Sequence, residues 1–243
     1  MTTDNCFEGQ TAVVTGAGGT LCSAIAKELA RRGAKVALIG RTPASLEKVA
    51  AEIAAEGGTA LPLVADVTDA AAVEQARRAV AERLGPCRFL LNGAGGNQAA
   101  ATTTTTVLDP AELGEAKPEG MRGFFDLEPG VIDSVVRINT LGTVIPSQAF
   151  GREMAALGRG SIVNFASMNS CRPLTRVPAY AMAKAGIVNF TQWLAVYLAP
   201  AGVRVNAVAP GFFVNERSRK ILMTPEGGLS ARGENVMAHT PMG

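Results

Sequence analysis

Short apolar runs suited to buried strands alternate with longer segments of helical period along nearly the whole chain, and this alternation restricts the possible folds more than any other feature. Strand-like runs at 11–14, 35–39, 61–65 and 88–91 are separated by helix-period segments at 21–32, 44–56 and 70–84. The pattern continues with a helix at Pro129–Ala156, a strand at 161–166, a helix at Pro178–Leu198 and a strand at 204–209. Strands joined by a helix of a dozen residues or more run parallel, because a hairpin cannot connect them. The expected fold class is therefore α/β: a doubly wound parallel sheet in three layers, α/β/α, with right-handed crossovers and ligands at the carboxyl ends of the strands. With 243 residues, 47% hydrophobic and 18% charged, the chain suits a single domain spanning 1–243 with a substantial core.

Chemistry-bearing residues fall at those carboxyl ends. Thr15-Gly16-Ala17-Gly18-Gly19-Thr20-Leu21 follows the first strand, Asn92-Gly93-Ala94-Gly95 the fourth, Ser167 the fifth and Pro210-Gly211 the sixth. Tyr180 and Lys184 lie four apart, which puts them on one helix face. A phenol titrates near ~10, and a neighbouring ammonium lowers that value toward a useful acid or base. A hydroxyl such as Ser167 beside them can hydrogen-bond a carbonyl oxygen whose proton the tyrosine gives or takes. The glycines suit a tight turn whose N–H groups, with the following helix N-terminus, meet a pyrophosphate. Taken singly, each signal also has a plain structural explanation: a chance Tyr–Lys pair, or a glycine turn with no ligand.

Together, in this order, they resemble the short-chain dehydrogenase/reductase family over essentially the whole chain. Members usually show Thr-Gly-x-x-x-Gly-x-Gly; here Thr20 and Cys22 stand at the second and third glycines. Gly18-Gly-Thr-Leu-Cys22, Asn92-Gly-Ala-Gly-Gly-Asn97, Ser167-Met-Asn169, Asn189-Phe-Thr-Gln-Trp-Leu-Ala195 and Ala209-Pro-Gly-Phe-Phe213 look like the D-mannonate oxidoreductase (fructuronate reductase) branch. The resemblance implies a Rossmann-type fold and an oxidoreductase interconverting a secondary alcohol and a ketone with NAD(P). It implies Tyr180 as acid/base, Lys184 as its perturber and ribose ligand, Ser167 positioning the substrate oxygen, and Asn139 anchoring a water beside the lysine. It gives Thr15, Gly16, Gly18, Gly19, Thr20, Leu21, Arg41, Asp66, Val67, Asn92, Gly93, Ala94, Gly95, Pro210, Gly211 and Phe212, with Tyr180 and Lys184, as the cofactor contacts. The family's usual last helix and edge strand are expected to be missing after Met242-Gly243. By the same resemblance the helices at Pro129–Ala156 and Pro178–Leu198 pair in a homodimer or homotetramer.

Where NAD-preferring members have an acid, Gly40 is followed by Arg41, which favours NADP(H) and leaves NAD(H) open. A sugar acid requires a cation for its carboxylate and polar partners for its hydroxyls. Asn97, Asn169, Arg172 and Arg219 are the first candidates, with Gln98, Arg176 and Arg217 behind them. Another polyol, keto sugar or 3-oxoacyl substrate remains open, as does a cofactor-binding protein without turnover. The segments 96–126 and 211–243 are expected to border and cover the site, the first as a flexible, threonine-rich stretch. A formal net charge of +2 points away from nucleic acid and membrane surfaces, and toward small molecules. Four cysteines with neither metal-ligand nor disulfide spacing imply reduced thiols and no metal. Without a basic-then-apolar leader or an apolar run near the roughly 20 residues that span a bilayer, the expected location is cytoplasmic.

Overall fold

The computed structural model describes residues 5–114 and 117–241 and divides into two units, Met1–Ala209 and Pro210–Gly243. The first unit contains a wholly parallel sheet of strands β1 (Thr11–Thr15), β2 (Lys35–Gly40), β3 (Thr59–Val64), β4 (Cys87–Asn92), β5 (Gly160–Phe165) and β6 (Val203–Val208), in the order β3-β2-β1-β4-β5-β6. Helices α1 (Thr20–Arg31), α2 (Pro43–Ala55), α3 (Ala70–Arg83), α4 (Pro129–Ala156) and α5 (Pro178–Leu198) cover it. The chain winds outward from β1 to β3 and then returns to place β4 on β1's other side. The reversal opens a crevice between the carboxyl ends of β1 and β4. Thr15 is paired with Asn92, and Asn92 with Asn164, so the turns after β1, β4 and β5 leave one edge of the sheet.

Strand alternation sends successive side chains to opposite layers. Ala12 and Val14 pack with Ala26 and Ala30 of α1 and with Leu46, Val49 and Ile53 of α2. Val13 joins the other cluster, with Val73 and Val80 of α3, Phe150 and Met154 of α4, and Leu194 of α5. Burying a side chain such as Phe150 or Leu38 contributes about 1.5–3 kcal/mol. The buried stripe of α1 is Cys22, Ala26 and Ala30, small residues at helical spacing that let it lie close to the sheet.

The expected elements are all present, with ends shifted by a residue or two. The largest shift is at β3, which begins at Thr59, paired with Lys35, rather than at 61. Pro62 obscures that start; it is tolerated because β3 is an edge strand bonded only to β2. The 96–126 stretch is more ordered than its composition implies. It holds 3₁₀ turns at Ala99–Ala101, Pro110–Leu113 and Phe124–Asp126. The Thr103 N–H donates to Arg176 O (2.9 Å), Thr104 N–H to Arg122 O (2.8 Å), and Arg122 Nη1 to Ala99 O (2.7 Å).

The second unit contains α6 (Glu216–Leu222) and α7 (Ala231–Ala238), joined by a turn with an antiparallel bridge between Met223 and Leu229. Ser230 caps α7 by accepting from Gly233 N–H at 3.1 Å. Among the described residues no helix is long and apolar enough to cross a membrane.

Candidate active site

Pro178 stands at the first position of α5, where its missing N–H costs nothing, and Tyr180 follows in the same first turn. Lys184, one turn further on, is buried, and its Nζ donates to Phe165 O, the last residue of β5, at 2.6 Å. The same Nζ lies 5.7 Å from the centre of the Tyr180 ring. Ser167 is buried at the start of the turn leaving β5, and its hydroxyl accepts from Asn169 N–H at 3.2 Å. Asn139, inside α4, is fully buried and bonded to main chain on every side. Its Nδ2 donates to Gly96 O (2.8 Å) and Val135 O (2.7 Å), and its Oδ1 accepts from Gly96 N–H (3.1 Å). A Cβ on Gly95 would meet Asn139 Oδ1 at 2.5 Å and Lys184 Nζ at 3.6 Å, so α4, α5 and the turn after β4 converge at one point.

The electrostatics differ from the sequence expectation. Burial pushes the Tyr180 phenol up, and only the nearby Ser167 hydroxyl acts against it. Lys184 does not lower the phenol here. It is itself depressed, from 10.5 to about 8, mainly because burial penalises its ammonium; the Cys22 thiol opposes the shift.

The glycine turn is held by backbone and by two side chains. Gly16 has φ +66, and a Cβ there would meet Ala94 Cα, Ala94 N and Gly93 O at 2.9 Å, so only glycine fits. Gly18, Gly19 and Thr20 are exposed and Leu21 partly so. Gly19 caps α1 without any side-chain bond, and no acid occupies its first turn, which leaves the N-terminal amides free for an anion. Thr15 is completely buried, and its hydroxyl accepts from Gly93 N–H (3.1 Å) and Ala94 N–H (3.2 Å), bracing the turn from beneath. Cys22 Sγ occupies the space that a side chain on Gly93 would need. Burial raises its thiol to about 11, against a smaller opposing effect of Lys184.

Arg41 is exposed at the end of β2, with no ion-pair partner among the described residues. Asp66 bonds Thr68 N–H and Oγ1, each at 2.8 Å. Its carboxyl is lowered first by the Thr68 N–H and also by Arg41. Val67 packs in the core with Gly142 and offers a ligand only its backbone. The Asn92 side chain likewise points inward, its Nδ2 donating to Ser147 Oγ and Asn164 Oδ1 at 2.9 Å. Asn164 continues to Thr191 Oγ1 at 2.9 Å. Sequence reasoning did not find this buried chain of amides and hydroxyls tying β4 and β5 to α4 and α5; the lone Asn in the apolar run 161–166 was its one visible sign.

Of the substrate candidates, Asn97 donates to Thr102 Oγ1 (2.8 Å), Gln98 to Ser134 Oγ (3.0 Å), and Asn169 Oδ1 accepts from Leu174 N–H (2.8 Å). Arg176 has φ +74, and its Nε donates to Thr103 O at 2.6 Å, so it clamps the segment leading into α5 to the 96–126 stretch. Arg172 is exposed beside the Ser167 turn. Arg219 is exposed in the last turn of α6, and Pro210, Gly211 and Phe212 head the second unit. The Arg217 side chain lies outside the described residues.

Residues 10–224 match the short chain dehydrogenase family. The chain is 42% identical over 234 residues to the uncharacterized oxidoreductase UxuB of Bacillus subtilis, covering 96% of this chain and 82% of that one. The crystal structure of a candidate D-mannonate oxidoreductase from Haemophilus influenzae, with bound NAD, is 40% identical and superposes with a TM-score of 0.89 over 97% of this chain and 82% of that one. D-threitol dehydrogenase of Mycolicibacterium smegmatis is 33% identical over 221 residues, 91% of this chain and 76% of that one. The chain therefore belongs to the short-chain dehydrogenase family. It is an oxidoreductase acting on CH–OH groups with a nicotinamide cofactor.

Proposed function

We propose that the protein interconverts a secondary alcohol and a ketone on a sugar acid, with D-mannonate and D-fructuronate as the leading pair. The observation that carries the reading is the convergence of Tyr180 and Lys184 on α5 with Ser167 after β5 and Asn139 at the turn after β4. When bound, the nicotinamide supplies or accepts the hydride. The remaining work falls to the chain. Tyr180 Oη gives the carbonyl oxygen its proton or takes it from the alcohol, and Ser167 Oγ holds that oxygen. With the cofactor bound, Lys184 Nζ would turn from Phe165 O to a ribose hydroxyl and bring its charge toward the phenol, which it does not lower in this structure. Asn139 keeps the turn after β4 fixed beside it. The Gly18–Leu21 stretch fits a pyrophosphate because Gly18, Gly19 and Thr20 are exposed and α1 has no side-chain cap.

The carrier has two readings. Exposed Arg41 beside the ribose end favours NADP(H). The NAD held by the Haemophilus relative favours NAD(H), which we adopt as the first reading. The sugar-acid assignment draws on the same relative; D-threitol dehydrogenase keeps neutral polyols as the second class. Turnover of D-mannonate, D-fructuronate, threitol and a 3-oxoacyl thioester with each carrier decides between them. A neutral polyol used as well as the acid removes the sugar-acid reading, and carrier binding without turnover of any substrate removes the enzymatic one.

The α5 face carrying exposed Met182, Trp193, Val196 and Tyr197, with Trp193 and Tyr197 stacked at 5.0 Å, supports self-association through α4 and α5. Light scattering at micromolar concentration tests it, and a monomer contradicts it.

A further inference from the structure

Ser167 opens a short 3₁₀ turn, Met168–Ser170, whose last residue reaches back across it. The Ser170 hydroxyl accepts from Ser167 N–H at 3.3 Å and donates to Lys184 O at 2.8 Å. On the other side of Ser167, Lys184 Nζ donates to Phe165 O at 2.6 Å. One residue of α5 is therefore stapled to the β5 end twice, once before Ser167 through a side chain and once after it through main chain. Tyr180 stands one turn earlier on the same helix.

The two staples differ in kind. Lys184 Nζ is the end of a flexible side chain assigned to a ribose, so its bond to Phe165 is exchangeable. The carbonyl of Lys184 is part of the helix itself and cannot move without moving α5. Whatever Lys184 Nζ binds, the Ser170 bond remains as the fixed link between the turn and the helix. Ser167 Oγ already accepts from Asn169 N–H in the same turn, so its direction depends on the turn's shape.

We propose that Ser170 is a positioning residue: by tying the turn to α5 it sets the distance between the Ser167 hydroxyl and the Tyr180 phenol, without touching substrate or cofactor. This inference rests on the roles given to Ser167 and Tyr180 above. Loss of the Ser170 hydroxyl leaves the Ser167 N–H without its acceptor, and the turn relaxes to find another.

The test is a double-mutant cycle. Ser170→Ala and Ser170→Thr are assayed for kcat and KM on the best substrate of the screen, in the wild type and in Ser167→Ala, with carrier dissociation constants from titration calorimetry. Ser170→Ala is expected to lower kcat by about 10- to 100-fold, as small misplacements of reacting groups do. Carrier affinity should stay unchanged, and Ser170→Thr, which keeps the hydroxyl, should retain most activity. In the Ser167→Ala background the same change should have no further effect, because the group it positions is gone. Losses that add in the double mutant, a matching loss of carrier affinity, equal impairment by Ala and Thr, or an unimpaired Ser170→Ala each overturn the proposal. Tyr180→Phe, run alongside, separates the two levels: full activity there removes the proposed function and the inference with it, while an inactive Tyr180→Phe beside a normal Ser170→Ala removes only the role of Ser170.

Discussion

The two ends of the crevice are built in opposite ways. Around the β5 end, Asn139, Ser167, Asn169, Ser170 and Lys184 all bond main-chain groups, and little is left free to move. Around the β1 end, Gly16, Gly18 and Gly19 remove side chains altogether and leave the amides at the head of α1 uncapped. The first arrangement holds a few polar atoms at set distances, as proton transfer demands. The second opens a surface of bare backbone, as a diphosphate demands. Rate and carrier affinity should therefore respond to different substitutions.

Tyr180→Phe tests the first end most severely. Turnover should fall by roughly two to four orders of magnitude while carrier affinity stays near normal. A calorimetric titration showing equal loss of binding would mean that the two ends are not separable.

Lys184 gives the next largest effect, in stability against pH. Its folded value is about 8 against 10.5 for the free side chain, so the unfolded chain binds more protons between those values. The penalty for burying the ammonium is fully present below about pH 8, and stability rises as pH climbs toward 10.5. The full shift corresponds to about 3 kcal/mol. Denaturant melts of carrier-free protein at pH 7 and pH 10 should show the wild type gaining stability relative to Lys184→Met, because the buried Cys22 and Cys87 thiols, which oppose the rise above pH 9, are common to both proteins; parallel pH profiles would refute the burial account.

Gly16→Ala tests the other end. Forcing a Cβ into a left-handed turn costs about 1–2 kcal/mol, and here the new atom also presses on Ala94 and Gly93. Carrier affinity should drop about tenfold or more for that energy, with kcat at saturation changed far less. If kcat falls instead and affinity holds, the division between the ends is drawn in the wrong place.

The smallest effect concerns Arg41. Because its guanidinium has no ion-pair partner among the described residues, Arg41→Ala should lower kcat/KM with NADP(H) by about tenfold through loss of one charged contact. The value with NAD(H) should not change. An unchanged ratio of the two would show that Arg41 does not meet the ribose.

Helix and strand placement was legible because period and turn residues agree along the chain; only Pro62 hid the start of β3. Tyr180, Lys184 and Ser167 stood out because their spacing is local. What escaped was set by contacts distant in sequence. The Arg176 clamp on Thr103 and the Asn92–Asn164–Thr191 chain join segments that carry no mutual signal, so the sequence offered Arg176 only as a second-rank substrate cation and could not show where the Asn92 side chain bonds. The Tyr180 phenol was misjudged for a related reason. Sequence spacing reveals a neighbouring charge but not the burial that outweighs it.

Cys22 and Gly93 bear on how this branch can drift. The sulfur fills the volume above residue 93, and a side chain added there while Cys22 remains collides with it. Once residue 22 shrinks to alanine, the remaining Cβ lies 3.7 Å from the new one, an ordinary contact, with Thr15 O still tight at 3.0 Å. A side chain at 93 therefore requires either that the Cys22 sulfur swing away or that position 22 shrink first. With the family's glycine at 22 the sulfur's share of the clash disappears, and the Thr15 carbonyl becomes what limits the size of residue 93.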